Sequence, residues 1–305
     1  MRISTSQIWN NALNNLQDAQ ERQMKANDQV STQKVATDLM GYGRSSEIIA
    51  SYQSTLAKTN SFIEVNKTVS DRLDGQNLAL ETTSGAASDA KDAIMSALAS
   101  GDGSSLMTAM QGAFSSAIDG LNYVQNGQYL FGGGNDSQPP VKVTSLGATS
   151  SLTAISDAFQ NGDVKKTSRI DSNTTIQTGM LASDIGTGMM TLFKSFQDQA
   201  NSGAFGTPLT DTQTAFLTDL SNKFNTEYSK VVEQTSLNGT MQNRVDNTTT
   251  SLNGQVTSLT GMIGDRTQVD MAKAYSDLQM AQVSVQASAQ VISSLNSTSL
   301  LNILK

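Results

Sequence analysis

From Leu217 to Met262 one face of the chain returns every three or four residues without a break. The row reads Leu217, Leu220, Phe224, Glu227, Val231, Gln234, Asn238, Met241, Val245, Thr248, Leu252, Gln255, Leu259 and Met262. Alternating steps of three and four belong to a helix packed along one narrow seam, and no strand repeats that way. A straight helix over this stretch spans roughly 70 Å at 1.5 Å per residue. A rod of that length fixes the fold class, because other segments must run beside it.

The material for those segments is thin. Only 37% of the 305 residues are hydrophobic, 5% aromatic and 15% charged, too little apolar side chain for a thick core. Three prolines leave long runs free to be helical. The reading is therefore mainly α: a long antiparallel helical bundle or coiled coil formed by the N- and C-terminal regions, with a small β-containing insertion mid-chain.

A first helical region covers 6–40, with Trp9, Leu13, Leu16, Gln20, Gln23, Asn27 and Val30 on its seam, and "MGYGRSS" at 40–46 interrupts it. From about 46 to 99 a long helix carries Leu73, Leu80, Ala87 and Ile94 every seven residues. The turn "SGDGSS" leads into another helix, through Leu106, Met110, Ala113, Ala117, Leu121 and Val124. So short a connection predicts an antiparallel pair.

The run "YLFGGGNDSQPPVKV" at 129–143 ends helix, since three glycines and two prolines stand together. Up to about 185 the chain is rich in Ser, Thr and Gly, and "KKTSRIDSNTTIQTG" reads as a hairpin turning at Asp171–Asn173, with weak helical pieces such as 151–160. Helix returns after "DIGTGMM" and breaks again around "NSGAFGTPL". The last segment follows Met271, Ala274, Leu278, Ala281, Val285, Ser288, Ile292 and Leu295, a register that does not continue the previous one. A slip of phase near Gly261 and Gly264 marks a joint between two bundles. The expected divisions are 1–45 (N-terminal helix of an inner coiled coil), 46–130 (helical hairpin), 131–200 (outer β-containing insertion), 201–264 (long returning helix) and 265–305 (C-terminal helix of the inner coiled coil).

With no His and no Cys there is no imidazole base, no thiolate nucleophile and no ordinary zinc site. "FGGGNDS" lacks the spacing of a dinucleotide loop, and "DSNTTIQTG" lacks the mid-loop Gly and closing Glu of a calcium loop. No enzyme activity, catalytic residue, metal or cofactor is expected. A net charge of −7 argues against nucleic acid or an anionic membrane as partner. No apolar run of signal-peptide length opens the sequence, so export without a cleaved signal is the expectation. The chain closes on Leu300, Leu301, Ile303 and Leu304, and chain ends are ordinarily polar. Together with Ile3, Ile8, Trp9, Leu13, Leu16, Leu278, Val285, Ile292 and Leu295, these are the candidate assembly residues. A two-helix end cannot bury all its apolar surface alone, so a neighbour is expected to cover the remainder.

Several stretches resemble the bacterial flagellin family. "MRISTSQIW" is similar to its opening and "STQKVATD" to the end of its first helix; Gln33 stands there where Gly is common. "GQYLFGGGNDSQPPV" is similar to the family's exit from the second helical hairpin, through Tyr129, Phe131, Gly132 and Gly133. "LNGTMQNRVDN" places Gly239, Gln242, Asn243 and Arg244 on its long C-terminal helix, and "DRTQVDMAKAYSDL" places Asp265 and Asp270 at the entry to its last one. "LMGYGRSSEIIA" departs from the family's pattern at the first break. The leucine-rich close resembles the flagellin-like hook-associated branch at the hook–filament junction more than the filament subunit. The resemblance implies a structural, extracellular subunit of the bacterial flagellum, exported through the flagellar type III apparatus. The implied partners are copies of itself, a hook-associated junction protein on the hook side, flagellin on the filament side and an export chaperone. A filament-forming flagellin is the alternative, and a type III secreted translocator or adhesin a more distant one.

Overall fold

A computed structural model describes the backbone of residues 2–303 and the side chains of residues 6–297. Among the described residues there are six α-helices: α1 (Arg2–Thr32), α2 (Ser46–Ser100), α3 (Leu106–Leu121), α4 (Ala182–Ser202), α5 (Asp211–Thr267) and α6 (Met271–Ile303). Two antiparallel hairpins interrupt them, β1 (Val124–Gln125) with β2 (Gln128–Tyr129), and β3 (Thr167–Arg169) with β4 (Thr175–Gln177). The chain forms two compact units, Met1–Thr59 with Gly254–Lys305, and Asn60–Asn253. These limits differ from the expected divisions at 45 and 264: the first limit lies inside α2, past its start at Ser46, and the second inside α5, before its end at Thr267.

The middle unit has a large core and a smaller second cluster. Ala79 to Ala97 of α2, one face of α3, the stretch from Phe131 to Ala158, α4, and Leu217 to Val231 of α5 contribute to the large core. Phe114, Phe193 and Phe224 link three helices edge to face, with ring centroids 5.3 and 5.2 Å apart. Glycines set how closely these helices approach. A Cβ on Gly120 of α3 would meet the Ala79 oxygen at 2.8 Å, and one on Gly186 of α4 would meet Leu121 at 2.6 Å. The segment "DIGTGMM" thus lies inside α4, which begins at Ala182, earlier than the expected return of helix. Residues 131–200 accordingly share the bundle's core and do not form a separate body.

The predicted hairpin is present, turning through Asp171, whose carboxylate accepts the amides of Asn173 (2.6 Å) and Thr174 (2.7 Å). Its Ile170 and Ile176 close a smaller cluster with Val69, Leu73 and Val245. The other hairpin replaces what was read as the end of a helix. Asn126 and Gly127 both take positive φ (52° and 78°), the geometry of a two-residue turn, so α3 stops at Leu121 and Val124 is 47% exposed in β1.

In the terminal unit α1 packs antiparallel against α6, aligned by a bridge between Lys34 and Gln268. Two main-chain hydrogen bonds, Val35 N–H to Thr267 and Val269 N–H to Gln33, tie the helix ends there. Gln33 has φ 59°, a conformation that glycine adopts freely. That backbone requirement accounts for the Gly found at this point in the resembling family.

Candidate assembly surface

The seam between α1 and α6 is built from small residues. On α6 the inward row is Met271, Ala274, Leu278, Ala281, Val285, Ser288, Ile292 and Leu295, all buried or half-buried. On α1 it is Trp9, Ala12, Leu16, Ala19, Gln23, Ala26 and Val30. The row of Leu13, Gln20 and Asn27 expected from size lies outside this seam, and Leu13 is 44% exposed. Alanine wins these positions because Ala19 (1% exposed), Ala26, Ala274 (1%) and Ala281 let the two backbones approach closely.

Large apolar side chains consequently point away. Ile8, Leu13 and Met24 of α1 and Tyr275, Met280, Val283 and Val291 of α6 are each between 44% and 64% exposed. Among the candidate assembly residues, Ile8 and Leu13 are exposed, whereas Trp9, Leu16, Leu278, Val285, Ile292 and Leu295 are half-buried. The side chains of Ile3, Leu300, Leu301, Ile303 and Leu304 lie outside the described residues.

The phase slip sits earlier than Gly261. Past Leu252 the inward face of α5 passes through Val256, Leu259, Ile263 and Thr267, so Gln255 and Met262 turn outward. The step coincides with the boundary at Asn253 and Gly254. An extra residue between seam positions rotates the buried face, as insertions do in coiled coils.

Residues 71–76 of α2 in the middle unit collect hydrogen-bond partners from several segments, and of the family-motif positions Gln242 is among them. Asp71 accepts a hydrogen bond from Gln125 at 2.8 Å through its main-chain oxygen. Arg72 donates to the Leu130 oxygen at 3.1 Å. Leu73 and Asp74 accept from Asn238 and Gln242 of α5, both at 2.8 Å. Gln76 donates to the Thr178 oxygen at 3.0 Å. Burial pushes the Arg72 guanidinium below its ordinary pKa, against the opposing pull of Asp136. Asp136 is held below the usual carboxylate range by the Lys166 ammonium.

Tyr129 leaves the first hairpin, Phe131 is fully buried, and the Ala182 amide donates to the Phe131 oxygen at 3.0 Å. Gly132 and Gly133 are required sterically. A Cβ on Gly132 would meet the Asn135 oxygen at 2.6 Å, and Gly133 has φ 61°. Asn243, Arg244 and Asp265 are exposed. Asp270 caps α6, accepting the Ala272 amide at 2.9 Å and the Lys273 amide at 3.2 Å. Sequence reasoning did not single out the Ala12–Ala19–Ala26 row or the partners on α2; heptad spacing of alanine was the available signal for the first.

Residues 222–304 match the family model for the bacterial flagellin C-terminal helical region. Over that stretch the chain is similar to bacterial flagellins. No curated protein matches the chain by sequence. Among solved structures, the chain is similar to one described as a flagellar hook-associated protein from Vibrio parahaemolyticus. The two are 13% identical with a TM-score of 0.59, over 76% of this chain and 99% of that one. It is also similar to FlgL of Bacillus cereus, 14% identical with a TM-score of 0.54, over 70% of this chain and 97% of that one. At such identities the likeness is one of fold. Among the described residues no helix is long and apolar enough to cross a membrane.

Proposed function

We propose that this protein is a structural subunit of the bacterial flagellum that joins hook to filament, in the manner of the third hook-associated protein. One observation carries the reading. The flagellin-type C-terminal region is mounted on a fold that spans 99% of a flagellar hook-associated protein and 97% of FlgL. The exposed apolar residues of α1 and α6 support a role that depends on contact with neighbours.

In this reading the proposed partners are copies of the chain, a hook-associated protein on the hook side and flagellin on the filament side. Export proceeds through the flagellar type III apparatus with a dedicated chaperone, and the protein acts outside the cell without enzyme activity. Head-to-tail contacts stack one tier on the next. In this reading Leu300, Leu301, Ile303 and Leu304 supply part of the buried contact.

A strain lacking the gene is expected to carry bare hooks and shed flagellin into the medium. Intact filaments on such a strain would sink the reading. Leu301→Asp is expected to leave the middle unit folded and block incorporation, because burying that charge in a packed interface is strongly unfavourable. The flagellin-type C-terminal region keeps a second reading in play, a filament-forming flagellin. Growth of long filaments by the purified protein alone would favour it; their absence favours the junction subunit.

A further inference from the structure

Four Asn-Gly pairs stand in the chain, beginning at Asn126, Asn161, Asn238 and Asn253. In such a pair the main-chain nitrogen of the glycine can attack the asparagine side chain, because no Cβ on the second residue hinders the closing ring. The fold treats the four pairs differently.

Asn238 is fully buried and donates to the Leu73 oxygen, and both it and Asn253 lie within α5. There the amide of the following glycine belongs to the helical ladder, and freeing it means opening the helix. Asn161 lies outside any helix but is clamped. Its Oδ1 accepts the Ser183 amide at 3.1 Å, and its Nδ2 donates to the Ser183 Oγ at 3.1 Å. The Gly162 amide is engaged as well, donating to the Gly132 oxygen at 2.9 Å.

Asn126–Gly127 escapes all these restraints. Both residues are exposed at the tip of the β1–β2 hairpin. Among the described residues neither the Asn126 side chain nor the Gly127 amide makes a hydrogen bond. Their positive φ values suit the two-residue turn, for which Asn-Gly is the favoured pair. The residues that best make this turn are therefore the ones left open to the reaction.

We propose that Asn126–Gly127 is a site of spontaneous covalent modification, with water as the co-reactant. The Gly127 nitrogen gives up its proton to hydroxide and bonds to Cγ of Asn126. The Cγ–Nδ2 bond breaks and Nδ2 leaves as ammonia, closing a five-membered imide. Water then opens the imide on one side or the other. Cleavage at Cγ leaves aspartate, and cleavage at the main-chain carbonyl leaves isoaspartate, with the chain rerouted through the former side chain. Either product carries a new negative charge, on the rim of a cleft of about 190 Å³ walled by Arg72 and Tyr129. Isoaspartate also adds a carbon to the main chain inside the turn. The pairing of Val124 with Tyr129 and of Gln125 with Gln128 then no longer closes over two residues. Gln125 ties the hairpin to α2 through the Asp71 oxygen at 2.8 Å, so the hairpin loosens from that helix.

The full-length folded protein, held for weeks at mildly alkaline pH and mapped by peptide mass spectrometry, tests the proposal. Asn126 is expected to convert at least about tenfold faster than each of the other three, which must open locally first. In guanidinium chloride the four rates should converge, since every one of these asparagines precedes glycine. Conversion of Asn161 or Asn253 as fast as Asn126 in the folded protein would overturn the proposal. So would a spread of rates that persists in denaturant. The consequence is read by amide exchange on the aged fraction separated by charge. The Leu130 amide, which donates to the Tyr123 oxygen at 3.0 Å, should exchange faster there than in fresh protein. Equal exchange would overturn the loosening of the hairpin.

Discussion

Asn238 donates its Nδ2–H to the main-chain oxygen of Leu73 at 2.8 Å, across 165 residues of sequence. Both residues are fully buried, and the Asn238 Oδ1 has no hydrogen-bond partner among the described residues. An orphan acceptor offsets much of what the paired donor contributes. Asn238→Leu is therefore expected to change stability by no more than about 1 kcal/mol, since the Leu73 oxygen keeps its place in the α2 ladder. Asn238→Asp buries a charge at the same point and should cost about 3 kcal/mol or more at neutral pH. Thermal unfolding followed by circular dichroism separates the two. A leucine as damaging as the aspartate would mean that the single hydrogen bond dominates.

The alanine seam of the terminal unit predicts an inversion of ordinary mutational sense. Ala19→Leu forces three more carbons between α1 and α6 and should cost about 1–3 kcal/mol. Leu13→Ser removes a large apolar side chain, yet Leu13 is 44% exposed, so the change should stay within about 0.5 kcal/mol. Amide exchange along α1 reports both. Greater loss of protection from Leu13→Ser than from Ala19→Leu would place the seam on the other row.

That inversion also shows what was legible beforehand. The α6 row was readable because it contains Leu278, Val285, Ile292 and Leu295, large enough to declare a face. The α1 row was not, because alanine reads as neutral and Leu13 competes for the same turn. On α5 the rhythm held to Leu252 and then misled: Gln255 and Met262 continue the arithmetic, whereas the helix rotates its buried face at the unit boundary. The first hairpin carried a signal in Asn126–Gly127, masked by a Val124 that fits helical spacing. Ties such as Arg72 to Leu130 and Gln76 to Thr178 join residues 58 and 102 positions apart, and no local pattern announces them.

Two glycines with opposite expectations probe whether a helix face serves the fold or a neighbour. A Cβ on Gly120 would meet main-chain atoms, the Ala79 oxygen at 2.8 Å and the Thr83 nitrogen at 2.9 Å, which cannot yield cheaply. Gly120→Ala should cost about 2–3 kcal/mol. Gly239 lies inside α5 with nothing within 4 Å of its would-be Cβ. A mid-helix glycine costs about 1 kcal/mol relative to alanine, so Gly239→Ala should raise stability by about that amount. If the more stable variant fails to complement a deletion strain, the open position is used by another subunit. Full complementation would remove Gly239 from the assembly surface.

Acid stability of the middle unit follows from three carboxylates. The Thr207 hydroxyl holds Asp102 below the ordinary range, the Lys166 ammonium does so for Asp136, and the Asn173 amide for Asp171. A carboxylate whose folded pKa lies below its unfolded value contributes fully above the unfolded value, about 4. The contribution is lost as pH falls through the folded value, because the unfolded chain takes up the proton first. The melting temperature should thus be nearly flat between about pH 7 and pH 5 and fall below about pH 4. Asp171→Asn isolates one of the three, since the amide oxygen can still accept from Asn173 and Thr174 but cannot titrate. It should melt below the parent at neutral pH, with the gap narrowing as the solution is acidified toward pH 3. A gap that stays constant with pH would mean that the turn depends on the shape of the side chain and not on its charge.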